Sequence, residues 1–337
     1  MRKRFLNKAK QKTTHLKKLS YAPKDIRFGT PDVVANYRAK RLKCHTLVEV
    51  GCGIGLQTLA FARTCKKVYA IEIDAEKFER AKENAKQFEV RNVEFIHGDA
   101  LDEKIISKLK NVDIVFCDTE RPANEEERKI ERIKPNLFEF LEKYKKLTEN
   151  IVIEIPPQIR ELPFDCEREY ISLNGKLNRL DIYFGNLKKA ECSAVVLPSG
   201  ERFSGKSSFE ELGNGILMNY LYEVDESVAK AGLINELVEK TGVKFYKKEK
   251  FNFLTSNHFL NSAFFKNSFE ILADCNFEEK KIVDTLKDIN AGSVEVRFNV
   301  DPEDYWRIRN SFERNLTGSE KVYLFKFGER AIIGRRV

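Results

Sequence analysis

Short apolar runs alternate with amphipathic segments through the first half of the chain. The runs at 46–50, 68–73, 93–97, 112–117 and 151–155 predict strands, and the segments between them have helical spacing. Strands that alternate with helices indicate a parallel sheet with helices on both faces. The pattern therefore predicts an α/β fold for this half of the chain.

The pattern changes after the fifth strand. Consecutive strands at 180–184 and 192–197, with Asn174-Gly175 nearby, predict an antiparallel hairpin that closes the same sheet. A stretch rich in Ser and Gly follows, and strand and helix signals then alternate over a shorter region, as in a small α+β domain. We accordingly predict an N-terminal arm at 1–29 and a first domain at 30–200. A linker at 201–217 joins it to a second domain at 218–337.

Charge is concentrated at the N-terminus. The 337 residues carry a net charge of +8, yet residues 1–30 alone hold ten Lys or Arg against Asp25. Such an arm indicates a polyanionic partner, with nucleic acid favoured over acidic lipid, or else a solvated tail that keeps the protein soluble. The candidate phosphate contacts are Arg2, Lys3, Arg4, Lys17, Lys18 and Arg38.

Several classes of protein are disfavoured. No apolar run approaches the ~18 residues of a membrane span, and Met1-Arg-Lys-Arg4 is not followed by the apolar core of a signal peptide, so we expect a cytoplasmic protein without a membrane partner. The seven cysteines include no CxxC pair, and the four histidines form no local cluster. We therefore predict neither a disulfide scaffold nor a metal site.

The strongest motif is a glycine loop between the first strand and the next helix. Gly51, Gly53 and Gly55 follow the strand directly, where a tight turn and close approach of a ligand both require glycine. A dinucleotide-binding loop has the spacing GxGxxG, but Leu56 occupies the last of those positions. The loop instead resembles motif I of class I S-adenosylmethionine (SAM) methyltransferases, in which an acid at the strand end, here Glu49, contacts the methionine moiety.

Two further carboxylates fall in register with that motif. Glu72 ends the second strand, where a carboxylate can accept both ribose hydroxyls. Asp99 follows the third strand, and the resemblance implies that it accepts from the adenine amino group while the N–H of Ala100 supports the ring. Each residue alone is equally typical of a turn or a helix cap. Together with the glycines they predict a SAM site.

The fourth strand ends in Asp118, with Arg121 three residues later. In SAM methyltransferases this strand end faces the transferred methyl group, and amine methyltransferases often carry Asn/Asp-Pro-Pro-aromatic there. The chain keeps the acid but not the rest of the motif. Asp118 could align a nucleophilic amine and Arg121 could hold a phosphate or carboxylate, which makes both catalytic candidates. The alternative is a loop acid paired with its own arginine.

A closer resemblance covers most of the chain. Residues 30–41, 118–121, 222–233 and 292–302 resemble segments of prokaryotic class I methyltransferases that have a C-terminal THUMP-like domain. More distantly, the first domain resembles RNA guanine-N2 methyltransferases of the trimethylguanosine synthase type. The resemblance implies a Rossmann-like methyltransferase sheet, SAM as cofactor and, by analogy with THUMP domains, RNA binding by the second domain.

The expected function is SAM-dependent methylation of a base amine in structured RNA, with tRNA favoured over rRNA. Two alternatives remain open. The missing Pro-Pro-aromatic segment is compatible with an RNA-binding or assembly factor that binds SAM without turnover. A methyltransferase for a protein or small molecule is the other. Tyr305 and Trp306 are candidate stacking residues, with a core position the favoured reading.

Overall fold

The chain divides into two compact units, unit 1 over Met1–Gly205 and unit 2 over Lys206–Val337. Each unit has its own β-sheet. The structure is a computed structural model, and it describes residues 12–120, 130–159, 161–210, 212–249 and 251–337.

Unit 1 is built on a nine-stranded sheet in the order β3-β2-β1-β4-β5-β7-β6-β8-β9. The first five strands in this order are parallel, and β7 pairs antiparallel with both β5 and β6. The parallel half therefore places the carboxyl ends of β3, β2, β1 and β4 along one edge. The strands are β1 Thr46–Val50, β2 Lys67–Glu72, β3 Val93–His97, β4 Ile114–Asp118, β5 Ile151–Ile155, β6 Glu167–Leu173, β7 Lys176–Tyr183, β8 Cys192–Leu197 and β9 Glu201–Gly205.

Helices cover the sheet of unit 1. An apolar cluster joins Ala35, Ala39 and Leu42 to Phe61 and to strand residues such as Phe116, so two helices pack on the same face. β1 and β5 are buried at every position and are apolar except for Thr46, Glu49 and Glu154, as expected where both faces are covered. The helices are α1 Pro23–Phe28, α2 Asp32–Arg41, α3 Leu56–Thr64, α4 Ala75–Gln87, α5 Glu103–Ile106 and α6 Leu137–Tyr144.

The α/β prediction for this half is confirmed and an antiparallel hairpin is present, but it does not pair the strand at 180–184 with the strand at 192–197. A hairpin forms at Asn174-Gly175, both with positive φ, and it joins β6 to β7. β8 then pairs parallel with β6. Because β7 already has β5 and β6 on its two sides, only the outer edge of β6 is open to β8. Residues 201–205, which the composition assigns to a linker, form β9 on the edge of β8.

Unit 2 contains a seven-stranded sheet in the order β11-β12-β10-β13-β16-β15-β14. All its pairs are antiparallel except β14–β15. The segment 226–241 forms two helices that are separated at Gly232, which has φ +70°. The elements are β10 Tyr220–Val224, α7 Glu226–Ala231, α8 Ile234–Thr241, β11 Lys244–Lys248, β12 Asn252–Ser256, β13 Phe265–Asn276, α9 Glu279–Asp288, β14 Ala291–Val296, α10 Tyr305–Glu313, β15 Glu320–Phe327 and β16 Arg330–Arg336.

Candidate cofactor and acceptor site

The glycine loop joins β1 to α3 in a backbone conformation that favours glycine. Gly51, Gly53 and Gly55 have φ values of +78°, +57° and +84°. A Cβ on Gly51 would lie 2.6 Å from the carbonyl oxygen of Asp118, whereas a Cβ on Gly53 would meet nothing within 4 Å. Gly51 is thus required by close packing against β4, and Gly53 faces open space in which a ligand can approach the backbone.

Glu49 lies next to the end of β1 with only 1% of its surface exposed. Its Oε2 atom has no hydrogen-bond partner among the described residues. Burial raises the pKa of Glu49 to about 8, the Thr58 hydroxyl opposes the shift, and the charges of Asp118 and Glu72 add to it. A buried carboxyl group with an unpaired oxygen is costly unless a cation or donor reaches it. Glu49 is therefore suited to receive a positively charged group of a ligand.

Glu72, at the end of β2, is buried and held by two backbone donors. Its Oε2 accepts from the Gly53 N–H at 2.7 Å, and its Oε1 accepts from the Asp74 N–H at 2.9 Å. These bonds fix the carboxylate against the glycine loop. Because a carboxylate oxygen can accept more than one hydrogen bond, each oxygen keeps capacity for a ligand hydroxyl.

Asp99 and Ala100 follow β3, the outermost strand of the parallel edge. Asp99 is exposed, and its Oδ1 accepts from the Leu101 N–H at 2.9 Å. Ala100 is buried, and its carbonyl accepts from the Tyr144 hydroxyl at 2.9 Å. The bond to Tyr144 holds this turn in place. The strand order therefore brings Asp99, Glu72 and Glu49 to successive strand ends along one edge, as the predicted SAM site requires.

Asp118 ends β4, the strand on the other side of β1. Burial and the neighbouring Glu154 raise the pKa of Asp118 to about 7, while Arg38 and Arg179 oppose the shift. Glu154 lies beside it in register on β5. Asp118 therefore lies next to the glycine loop with its pKa raised above the ordinary carboxyl value. Its predicted partner Arg121 lies outside the described residues.

The sequence pattern indicates Glu154 as an acid inside an apolar strand, but it does not reveal that Arg38 and Asp181 are buried with it beside Asp118. Register aligns Asp118, Glu154 and Asp181 across β4, β5 and β7. Arg38 from α2 is fully buried and donates to both oxygens of Asp181, from Nε at 2.8 Å and from Nη2 at 2.5 Å. Its Nη2 also lies 2.7 Å from Glu154 Oε2. The signal that could have revealed these groups is the presence of acids inside otherwise apolar strands.

Arg38 is consequently wrong as a phosphate contact. A guanidinium without solvent exposure cannot meet an external polyanion, and its charge is already paired with two carboxylates. Lys17 and Lys18 are exposed. The segment that carries them is anchored beside the glycine loop, because Asn84 accepts from the Ser20 N–H at 2.7 Å and donates to the Ile54 carbonyl at 2.8 Å. The other arm candidates, Arg2, Lys3 and Arg4, lie outside the described residues.

Comparison with known proteins agrees with this geometry. Residues 47–139, which hold the glycine loop and the ends of β1 to β4, match a family model described as a methyltransferase domain. These residues form a methyltransferase domain. SAM is the cofactor of such a domain. The unpaired oxygen of Glu49 suits the ammonium group of SAM, and the open space at Gly53 lets a ligand approach the backbone closely. The carboxylate of Glu72 suits the ribose hydroxyls.

Curated relatives match this chain over short stretches. An uncharacterized RNA methyltransferase of Clostridium acetobutylicum is 41% identical over 76 residues, 22% of this chain and 16% of that protein. A probable cobalt-precorrin-6B C(15)-methyltransferase (decarboxylating) of Methanocaldococcus jannaschii is 38% identical over 68 residues, 20% of this chain and 36% of that protein. The chain thus spans about a sixth to a third of the length of these relatives.

One solved structure resembles both units. A crystal structure from Porphyromonas gingivalis W83, provisionally described as a methyltransferase, superposes with a TM-score of 0.76 at 17% identity and covers 99% of this chain and 88% of that one. At this identity the likeness concerns the fold.

Among the described residues no helix has the length and apolar character needed to cross a bilayer, and no cluster of three or more His, Cys, Asp or Glu is arranged to hold a metal ion.

Proposed function

We propose that this protein transfers the methyl group of SAM to a base amine of structured RNA, with tRNA favoured over rRNA. The observation that carries the transfer step is the position of Asp118, whose backbone packs on Gly51 at the centre of the predicted cofactor edge. The basic arm, with its ten Lys or Arg in residues 1–30, supports a polyanionic acceptor. A relative named as an RNA methyltransferase supports the same class.

The residues of the site have separate tasks in this proposal. Glu49, Glu72 and Asp99, with the glycine loop and Ala100, bind and orient the cofactor. The sulfonium of SAM supplies an activated methyl group. Asp118 accepts a hydrogen bond from the acceptor amine, which points the nitrogen lone pair at the methyl carbon, and it takes up the proton that the amine loses. A pKa near 7 suits a group that must accept and release that proton at neutral pH.

Unit 2 is proposed as a second RNA contact. Trp306 on α10 is 62% exposed, so the favoured core position is wrong for this residue. The guanidinium carbon of Arg309 lies 5.3 Å from the centre of the Trp306 ring. The buried face of α10 is formed instead by Ile308 and Phe312, which pack on the sheet. An exposed indole beside an arginine can stack on an unpaired base.

A small-molecule acceptor is the second candidate, favoured by the match to a probable cobalt-precorrin methyltransferase. The RNA proposal and the small-molecule alternative differ in the role that they give to Lys17 and Lys18. In the RNA proposal, the variant carrying Lys17→Glu and Lys18→Glu raises KM for RNA about tenfold and flattens its dependence on salt, because phosphate contacts release counterions. In the small-molecule alternative the double variant keeps the KM of the wild type.

Replacement of Asp118 tests the transfer step. Asp118→Asn keeps the shape of the side chain but removes its capacity to accept a proton. We expect transfer to RNA to fall at least a hundredfold, the usual contribution of a positioned acid–base group, while SAM affinity stays within about twofold. The measurement is incorporation of label from methyl-labelled SAM into RNA, with SAM binding followed by calorimetry. Full activity of the variant would remove Asp118 from the mechanism.

A further inference from the structure

Two of the seven cysteines are in contact, and the proposed reaction uses neither. Cys44 lies between α2 and β1, and Cys65 caps the C-terminus of α3. Their Sγ atoms are 3.8 Å apart. Cys44 is partly exposed and Cys65 is buried. A small reagent can therefore reach this pair of thiols from the surface through Cys44.

Strand register places the two backbones at the distance a disulfide requires. β1 and β2 are parallel neighbours with Thr46 paired to Lys67, and each cysteine lies two residues before its member of that pair. The pairing continues toward them, because the His45 carbonyl accepts from the N–H groups of Lys66 at 3.0 Å and Lys67 at 2.8 Å. Adjacent strands lie roughly 4.8 Å apart, and disulfides join Cα atoms about 4.4–6.8 Å apart. The extrapolated spacing is therefore compatible with a disulfide between Cys44 and Cys65.

The surroundings of the pair favour thiol chemistry. The two thiols lie within hydrogen-bonding distance of each other, and this contact lowers the pKa of Cys65 and raises the pKa of Cys44. Thr64 Oγ1 lies 3.8 Å from the sulfur of Cys65. Since a thiolate is the reactive form of cysteine, the lowered pKa of Cys65 favours its attack on a disulfide. By contrast, burial raises the pKa of Cys52 and Cys117 well above the usual value.

We propose that Cys44 and Cys65 form a thiol–disulfide exchange site that takes a low-molecular-weight disulfide, such as oxidised glutathione, as its co-reactant. One protein S–S bond forms and the S–S bond of the reagent breaks. The two cysteines lose two electrons and two protons, and the reagent gains both and leaves as two thiols. A monothiol reductant in excess reverses the reaction.

The new bond ties the amino ends of β1 and β2, at the opposite end of β1 from the glycine loop. The five residues of β1 separate the two sites by roughly 16 Å. Closing the 21-residue loop between the cysteines restricts the unfolded chain. Oxidation is therefore expected to raise the midpoint of thermal unfolding of unit 1 by about 5–10 °C. SAM affinity is expected to change less than about twofold, since the carboxyl edge is not touched.

The test uses the full-length protein incubated with oxidised glutathione and then denatured and alkylated. We expect the intact mass to fall by about 2 Da before alkylation, two of the seven thiols to escape alkylation, and one linked peptide pair to contain Cys44 and Cys65. Cys44→Ser and Cys65→Ser should each abolish the linked pair. Cys275→Ser, in β13 of unit 2, is the matched control and should leave it intact.

Three outcomes would overturn the proposal. In the first, the wild type keeps all its thiols open to alkylation at glutathione ratios that oxidise ordinary dithiols. In the second, glutathione stays attached to Cys44 without release, which means that Cys65 cannot reach it. In the third, the linked peptides join another pair or two chains. None of these readouts depends on methyl transfer, so the site is tested whether or not the proposed function holds.

Discussion

Replacing Glu49 by Gln should stabilise the cofactor-free protein and weaken cofactor binding at once. The carboxyl group has an ordinary pKa of 4.5 and a pKa of about 8 in the folded protein. A raised carboxyl pKa means that folding is opposed as pH rises from 4.5 toward 8, because the folded state must keep a proton that the unfolded state releases. Below pH 4.5 both states are protonated and the penalty vanishes.

The size of the effect follows from the gap between those pKa values. At pH 7 the penalty is about 3 kcal/mol, the product of 1.36 kcal/mol per unit and the 2.5 units between pH 7 and 4.5. At pH 5 it falls below ~1 kcal/mol. A Gln side chain carries no such penalty, so Glu49→Gln should be more stable than the wild type at pH 7 and nearly equal to it at pH 5.

The assay is urea unfolding of both proteins at pH 5, 6, 7 and 8, together with calorimetric titration of SAM. We expect SAM to bind Glu49→Gln at least about tenfold more weakly, since the ammonium loses a charge-assisted hydrogen bond in a buried site. Parallel pH profiles of the two proteins would refute the buried, unpaired state of Glu49. Equal SAM affinities would refute its role in binding the methionine moiety.

Two other predictions concern the buried arginine and the exposed indole. Arg38→Ala should lower the free energy of unfolding by about 3–5 kcal/mol, because Asp181 and Glu154 lose their buried partner. The control is Arg63→Ala, which replaces an exposed arginine on α3 and should change the free energy of unfolding by less than ~0.5 kcal/mol in the same urea experiment. Trp306 is the single tryptophan, so the tryptophan fluorescence of the protein comes from this exposed site alone. Single-stranded RNA should quench this fluorescence. RNA binding without any change in emission would exclude base stacking on Trp306.

The parallel half of the sheet could be predicted because its signals are local. Thr46–Val50, Val93–His97 and Ile151–Ile155 are short apolar runs with clear ends, and the structure has strands with those bounds. The carboxyl ends of such strands share an edge by geometry alone. The positions of Glu49, Glu72 and Asp99 relative to one another follow from that rule.

The remaining features depend on contacts between distant parts of the chain. Arg38 is an ordinary basic residue on a helix until Asp181, 143 positions later, pairs with it inside the protein. The place of β8 beside β6 depends on which strand edges are already occupied, which the hydrophobic pattern does not encode. The exposure of Trp306 likewise follows from the face of α10 that packs on the sheet. The spacing of hydrophobic residues along the chain therefore could not predict the burial of Arg38, the place of β8 or the exposure of Trp306.

The identity of the methylated nucleoside tests the central proposal most directly. Total RNA from a strain that lacks the gene is incubated with the purified protein and methyl-labelled SAM, separated by size and digested, and the labelled nucleosides are identified by mass spectrometry. We predict label in the tRNA fraction, in a nucleoside that carries the methyl group on an exocyclic base amine. Label on ribose or on a base carbon, or no label in RNA from a preparation that binds SAM, would contradict it.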